Sequence, residues 1–205
     1  MNRLTFFSLI SIFTCLFSNS LFGEYWVFDK DHSSVAFKTE HLQISEVSGK
    51  FSDFYAWVEI DEKNFENSRF EITAHVDSID TGLKARDSHL LSKVFFDSKA
   101  FPDITFIGRS MKKNGDGKYE LAGDLTIKNI TKDFTVELER GGFVKDHWGN
   151  QRGGFQLNGS FSRFDFGMDW GEMLMNGGLI VGETINIECN LEVIKQTDDR
   201  FLMSR

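Results

Sequence analysis

Strict alternation of apolar and polar residues is the feature of this sequence that most limits how the chain can fold. In eight separate segments the apolar residues recur at every second position, the pattern of a β-strand with one dry and one wet face. The segments span residues 35–37, 54–60, 70–76, 104–106, 119–127, 134–138, 155–161 and 185–193. Antiparallel strands of this kind must close on themselves or pack as two sheets. The alternation therefore predicts an all-β fold and leaves barrel and sandwich both open.

The gaps between these segments carry turn residues and one helix candidate. Residues 114–117 and 148–150 contain Gly and Asn, which accept a positive φ at little cost, so both stretches predict hairpin loops. Asn129 lies between two strands and is expected to do the same. The spacing of apolar residues predicts a short helix over 82–93, with Thr81 as its cap.

The first twenty residues have the composition of a secretory signal peptide. Arg3 provides a basic start, residues 4–17 are almost continuously apolar, and small residues follow. The run is too short to span a bilayer comfortably, because spanning takes about 20 apolar residues. We expect cleavage after Ser20, with Gly23 as the alternative, and a periplasmic or secreted product. Lipid attachment at Cys15 is disfavoured, because no small residue directly precedes it.

Residues 21–195 are expected to form one domain, followed by a polar tail over 196–205. Pro102 is the only proline, and no linker or repeat marks an internal boundary. The net charge of −8 excludes nucleic acid as a favourable partner. Cys189 would be the single cysteine after cleavage, which rules out an internal disulfide.

Titratable residues offer little that predicts catalysis or metal binding. None of the five histidines is spaced two or four residues from another His or Cys, so no metal site is predicted. The run from Arg86 to His89 places three titratable groups together, but no nucleophile motif accompanies it. We interpret it as a helix end tied down by Arg86 and Asp87. An enzyme using His89 and Asp87 is the alternative.

Phenylalanine is unusually abundant, with 22 residues in the chain. Small residues share the predicted dry faces with these rings, and such a mixture predicts leftover volume that suits an apolar ligand. The small residues are Ala56, Ala74, Gly123 and Gly159. The non-alternating segment 165–182 concentrates methionines. It is either a lid over a barrel mouth or a loop packed on its own core.

The order of the motifs resembles the YceI-like polyisoprenoid-binding family over nearly all of the predicted domain. The shared segments are 26–29, 32–41, 49–51, 78–81, 86–90, 95–97, 101–106, 123–128, 163–167 and 181–183. The resemblance implies an extended, lipocalin-like, eight-stranded antiparallel barrel with one short helix beside it. It also implies non-catalytic, periplasmic binding of a long isoprenoid or similar amphiphile, and a two-barrel dimer. Two departures are Asn129, where the family usually has Gly, and the bulky loop around Trp170.

On this hypothesis the protein carries or stores an isoprenoid, quinone or fatty-chain lipid, with no cofactor, metal or catalytic residue. The chain would lie against nine dry-face residues: Phe37, Phe54, Phe70, Ile72, Phe106, Leu121, Leu125, Phe155 and Phe161. The candidates to meet the head group or form the mouth are Tyr55, Arg86, His89, Arg163, Met168, Trp170 and Met173. Transient contact with a membrane or a quinone-using protein fits a carrier. The alternative is a solid barrel that docks a partner protein through residues 168–175.

Overall fold

The computed structural model describes residues 24–171, 173–175 and 177–196. The predicted signal peptide, both of its cleavage sites and nearly all of the polar tail lie outside the described residues. Those assignments stay predictions.

Strands dominate the described part of the chain. They are β1 (Glu24–Phe28), β2 (Ser34–His41), β3 (Ser45–Phe51), β4 (Phe54–Ile60), β5 (Arg69–His75), β6 (Ile79–Asp80), β7 (Asp103–Lys113), β8 (Lys118–Ile127), β9 (Ile130–Lys145), β10 (Gln151–Ser162) and β11 (Val181–Lys195). One α-helix, α1 (Lys84–Leu90), accompanies them. No helix in the described ranges is long and apolar enough to cross a membrane.

The strands form a closed, antiparallel, eight-stranded barrel, which confirms the predicted fold class. The eleven strands occupy eight positions around the barrel, here called strand lines, because three lines are each interrupted once. β1 and β2 form one such line, β3 and β4 a second, and β5 and β6 a third. The other five lines are β7 to β11. The ring closes where β1 pairs with β11, in the register Trp26 to Lys195 and Phe28 to Val193. Where β1 and β11 close the ring, no strand edge is left free to pair with another chain.

The three breaks lie side by side and divide the barrel into two ends. At the closed end, β1, β4 and β5 pair with one another and complete the ring. At the open end, β2, β3 and β6 form their own ladder beside β11. β6 pairs with β3, whereas β7 pairs with β5 and β8, so no ladder joins β6 to β7 among the described residues. Residues 81–102, including α1, fill this interval.

The closed end is filled by aromatic rings, of which Phe70, Tyr119 and Phe155 lie in the predicted dry-face pattern and Phe65 does not. Phe65 lies on a short 3₁₀ turn after β4 and is only 7 % exposed. Its ring stacks on Phe155 at 5.8 Å and contacts Tyr119 at 4.8 Å between ring centroids. Phe70 meets Phe155 edge to face at 5.2 Å. Phe65 therefore plugs this end, and the free volume of the barrel lies at the other end.

Most local predictions are confirmed, with two corrections. Both predicted hairpin loops join strands through glycines of positive φ, Gly115 at 135° and Gly149 at 95°. Between β8 and β9, however, the left-handed residue is Lys128, at 57°, and not Asn129. The predicted helix exists but is shorter, and its cap is not Thr81, because Leu83 occupies the N-cap position. The Thr81 hydroxyl instead donates to Asp87.

Candidate ligand-binding cavity

A cavity of about 340 Å³ occupies the barrel interior at the open end. This volume lies at the lower end of the range of about 300–1,000 Å³ that is usual for small-molecule sites. Its wall is almost entirely apolar and combines aromatic rings with aliphatic side chains. Its barrel residues include Val35, Phe37, Phe51, Ile72, Ala74, Ile104, Phe106, Leu125, Phe134, Leu157, Phe161, Ile187 and Cys189. Such a wall offers dispersion contacts to a hydrocarbon and few partners to a polar group.

Cys189 is part of this wall, and its thiol is unreactive. The side chain is 4 % exposed, and burial raises the pKa of its thiol to about 12. The thiol therefore stays protonated at physiological pH, and the residue acts as a small apolar group.

One side of the cavity is formed by α1, which contributes Ala85, Arg86, His89 and Leu90. The helix is fastened through Thr81. Arg86 donates from Nε to the Thr81 hydroxyl and from Nη2 to the Thr81 carbonyl, each at 2.8 Å. A helix of seven residues is unstable alone, so the bonds from Arg86 and Asp87 to Thr81 are needed to hold α1 in place.

Asp87 completes this attachment. Its carboxylate accepts from the Thr81 hydroxyl at 2.6 Å and from the Thr81 backbone N–H at 2.9 Å. These hydrogen bonds, together with the charge of Arg86, hold the pKa of Asp87 below its usual value of 3.8. The Asp87 carboxylate is therefore ionised and occupied by its hydrogen bonds to Thr81, which attach α1 to the barrel.

The roof of the cavity is an aromatic cluster between α1 and the segment 167–180. The Trp170 ring meets His89 edge to face at 4.9 Å and Phe95 at 5.4 Å between centroids. His89 also packs edge to face on Phe95 at 5.1 Å. Met168 also lines the cavity and is 3 % exposed.

Arg163 fixes the roof segment to the barrel. It follows β10 directly and is 1 % exposed. Its guanidinium donates to the carbonyls of Gly182 at 3.0 Å, Val181 at 3.1 Å and Met168. The Phe164 ring covers it at 4.4 Å. Burial lowers the pKa of Arg163, although the charges of Asp169 and Glu183 oppose that shift.

Comparison with known proteins places the chain in a family. The model of the YceI-like domain matches residues 26–193. The chain belongs to the YceI-like family. A relative in Staphylococcus aureus (strain MSSA476), a UPF0312 protein, is 34 % identical over 168 residues, which are 82 % of this chain and 95 % of that protein.

Solved structures of similar fold agree with this assignment. BcnA of Burkholderia cenocepacia has a TM-score of 0.71 and 25 % identity, over 80 % of this chain and 98 % of BcnA. A polyisoprenoid binding domain from Saccharophagus degradans has a TM-score of 0.59 over 84 % of this chain and 99 % of that domain. It is 10 % identical, so this second likeness concerns the fold alone.

The YceI-like barrel places the nine predicted cavity residues at different heights. Five of them line the cavity: Phe37, Ile72, Phe106, Leu125 and Phe161. The other four face inward but do not line it: Phe54, Phe70, Leu121 and Phe155. Phe70, Leu121 and Phe155 belong to the packed closed end, and Phe54 lies against Phe28 at 5.5 Å. Alternation identifies the face of a strand, whereas height along the barrel depends on register.

Most of the predicted mouth residues come together, and two do not. The five that border the cavity are Arg86, His89, Arg163, Met168 and Trp170. Tyr55 points outward, is 40 % exposed and lies with its hydroxyl 3.2 Å from that of Tyr25. Met173 is 71 % exposed and forms an isolated bridge with Leu179 outside the cavity lining. Any contact of these residues with a ligand stays a prediction.

The small dry-face residues leave less volume than expected. A Cβ at Gly123 would lie 2.8 Å from Phe106 Cε2, and one at Gly159 would lie 2.6 Å from Phe134 Cζ. Both glycines are therefore covered by phenylalanine rings and make room for them. Ala56 is buried away from the cavity, so Ala74 alone of the four small residues lines it.

Sequence reasoning missed part of the site. Phe95 and Phe96 lie in the irregular stretch after α1, where no periodicity applies, and both line the cavity. Phe51 and Phe134 also line it. The alternation over 134–138 did place Phe134 on a dry face, but it was not among the nine residues expected to contact the ligand. Phe51 is the single buried residue of its strand.

One cluster in the described residues has the composition of a metal site. Potential ligand atoms of Asp29, His32 and Glu192 lie within 4.8 Å of one another. Arg152 already supplies the positive charge there, because its Nη1 lies 2.7 Å from Asp29 and 2.5 Å from Glu192. Its Nε binds Asp146 at 2.8 Å. The cluster is an ion-pair network on the outer surface of the barrel.

Proposed function

We propose that this YceI-like protein binds the apolar chain of a long-chain amphiphile inside its barrel, without catalysing a reaction. The observation that carries the proposal is the apolar cavity beside α1. A buried methylene group gains about 0.8 kcal/mol, so chain length would supply most of the affinity. Isoprenoid, quinone and fatty chains all meet this requirement.

Two comparisons support the proposal without deciding the ligand. The chain belongs to the YceI-like family, and a polyisoprenoid binding domain from Saccharophagus degradans has a similar fold. Fold likeness alone does not transfer a ligand, because function depends on the residues of the site. The wall of the cavity in this chain is therefore the main support.

The geometry of Asp87 and His89 favours binding over catalysis. Asp87 is committed to Thr81, and the His89 ring is held between Trp170 and Phe95. Among the described residues no hydrogen bond joins the two side chains. In nucleophile–base sites the base is oriented by a third group, and Asp87 does not orient His89.

We further propose that the protein is exported and acts as a periplasmic or secreted lipid carrier or store. The composition of residues 1–20 supports export, and exchange of lipid with a membrane or a quinone-using protein would follow. A homodimer belongs to the same proposal. Fractionation of the native host and determination of the mature N-terminus would test location, and sedimentation would test the oligomeric state.

Native mass spectrometry on protein purified from its own host without detergent tests the central proposal. We expect a discrete added mass that extracts into organic solvent as a long-chain lipid. A bare polypeptide mass, unchanged after incubation with quinones, polyprenols and fatty acids, would contradict the proposal. It would favour a protein that docks a partner through residues 168–175 instead.

A further inference from the structure

Arg163 is buried, and among the described residues its guanidinium contacts backbone carbonyls and the Phe164 ring but no carboxylate. Its three described acceptors are backbone carbonyls, and among the described residues no carboxylate oxygen lies within 4.0 Å of its nitrogens. Arg152 is the contrast in the same chain, because three carboxylates surround it. Burial of a charge without an opposite charge is unfavourable.

The other charged side chains at the cavity are differently placed. Arg86 lies next to Asp87, whose carboxylate it stabilises, and both are bound to Thr81. Glu40 borders the cavity but is exposed to solvent. Asp169 and Glu183, which act on Arg163 from a distance, are also exposed. Solvent weakens such interactions.

Arg163 also retains capacity for another acceptor. A guanidinium has about five N–H donors in a fixed fork, and the described carbonyls engage three of them. The residue borders the cavity close to the roof formed by Trp170 and Met168. An acceptor on a ligand that fills the cavity would meet it at this buried position on the cavity wall.

We propose that the bound amphiphile carries an acidic head group, a carboxylate or a phosphate, and that Arg163 pairs with it in the cavity wall. The inference rests on the proposed function and narrows its ligand class. Guanidinium binds both oxyanions through paired N–H donors, and such bonds strengthen as solvent is excluded. The apolar wall binds the chain, and Arg163 selects the head.

Matched ligands of identical chain test the inference. Calorimetric titration of the delipidated full chain would compare oleic acid, oleyl alcohol and oleylamine. We expect the acid to bind at least about tenfold tighter than the alcohol, the scale of one charge-assisted hydrogen bond, and the amine to bind weakest. Geranylgeranyl phosphate against geranylgeraniol would then distinguish a phosphate from a carboxylate preference.

Variants assign the selectivity to Arg163. Arg163→Gln should bring the acid and the alcohol to within about threefold of each other, and this ratio is the readout because loss of the bonds to the roof segment lowers both affinities. Arg163→Lys should keep part of the preference, because the charge remains and the fork is lost. Arg69→Gln removes the same charge from an exposed position outside the cavity and should keep the full preference.

The outcomes separate this inference from the proposed function. Equal binding of acid and alcohol by the unmodified protein would overturn the inference and leave the proposed function standing. Full acid preference in folded Arg163→Gln would also overturn it. Failure of every ligand to bind would refute the proposed function itself. If Arg163→Gln does not fold, the acid and the alcohol are compared in the unmodified protein and in Arg163→Lys. Equal binding by the unmodified protein, or a full acid preference in Arg163→Lys, still overturns the inference.

Discussion

The ring of Phe106 packs directly over Gly123 on the neighbouring strand. A Cβ at Gly123 would lie 2.8 Å from Phe106 Cε2 and 2.3 Å from the backbone oxygen of Ile107. The first neighbour is the edge of a ring, but the second is backbone of an adjacent strand and cannot move without disturbing the ladder. Gly123 is therefore required by the close approach of β7 and β8.

Replacement of Gly123 by alanine should destabilise the barrel by about 2–3 kcal/mol or more, the scale of strong overpacking. Chemical denaturation would measure the free energy of unfolding. Gly154→Ala is the matched control, because a Cβ there meets nothing within 4 Å. The control should be neutral or stabilising by up to about 1 kcal/mol. Equal effects of the two substitutions would show that the contact at Gly123 is relieved cheaply.

Ala74 and Ala56 provide a test of where the free volume lies. Both are nearly inaccessible, but only Ala74 lines the cavity. Ala74→Met should fill part of the cavity, reduce lipid affinity at least about tenfold and change stability little. Ala56→Met should instead overpack the core and cost about 1–3 kcal/mol. Lipid titration and denaturation of both variants check this, and tight lipid binding by a folded Ala74→Met protein would contradict the assigned cavity.

The length of the bound chain should control affinity up to the capacity of the cavity. For linear alcohols from about eight to about sixteen carbons, each added methylene should tighten binding about fourfold while it enters the cavity. Further methylenes should add little once the chain reaches solvent. Calorimetric titration of the series would show the plateau. Affinity independent of length would mean that the chain does not lie in the barrel.

The Arg152 network should make stability depend on acid pH. Hydrogen bonds from Arg152 hold the pKa of Asp146 well below 3.8. Burial alone would raise the pKa of Asp29, but bonds from Arg152 and His32 outweigh it and lower that pKa as well. Carboxyls with lowered folded-state pKa values stabilise the fold above about pH 4, and this contribution is lost as the pH falls below it.

Denaturation from pH 7 to pH 3 would show this decline in the unmodified protein. Arg152→Met should be less stable at pH 7 and decline less, because the remaining carboxylates repel one another until they are protonated. Arg109→Gln is the control, since Arg109 and its partner Asp133 are exposed. It should leave the profile nearly unchanged. An acid decline in Arg152→Met as steep as in the unmodified protein would assign the effect to other carboxyls.

The fold was largely predictable from sequence, but the height of each residue in the barrel was not. Phe70 and Ile72 lie on the same face of β5, two residues apart. Phe70 packs against Phe155 in the closed end, whereas Ile72 lines the cavity. Their separation depends on the register with neighbouring strands and on the plug formed by Phe65. Neither follows from the pattern of a single segment.

Elements with little burial were also difficult to predict. In β3 only Phe51 is buried, so the strand shows no alternation of apolar residues. Arg86, His89 and Arg163 were identified as candidates from the motif order, and the structure places them around one cavity. Tyr55 was misplaced, because it alternates with the buried Phe54 and Ala56 and therefore lies on the outer face of β4. Irregular segments such as 91–102 carry no period, which is why Phe95 and Phe96 were not predicted.

The breaks in three strand lines give the two ends of the barrel different mechanical properties. β6 is joined to β3 by the two residue pairs Lys50–Asp80 and Phe51–Ile79. Displacing β6 and α1 outward therefore separates two cross-strand pairs, whereas opening the ring at β1 and β11 separates a ladder locked by buried Trp26 and Val193. Backbone amides of β6 should exchange with deuterium long before those of the closed end. We therefore expect the open end to deform more easily than the closed end, so that a chain wider than the cavity would enter without unfolding of the barrel.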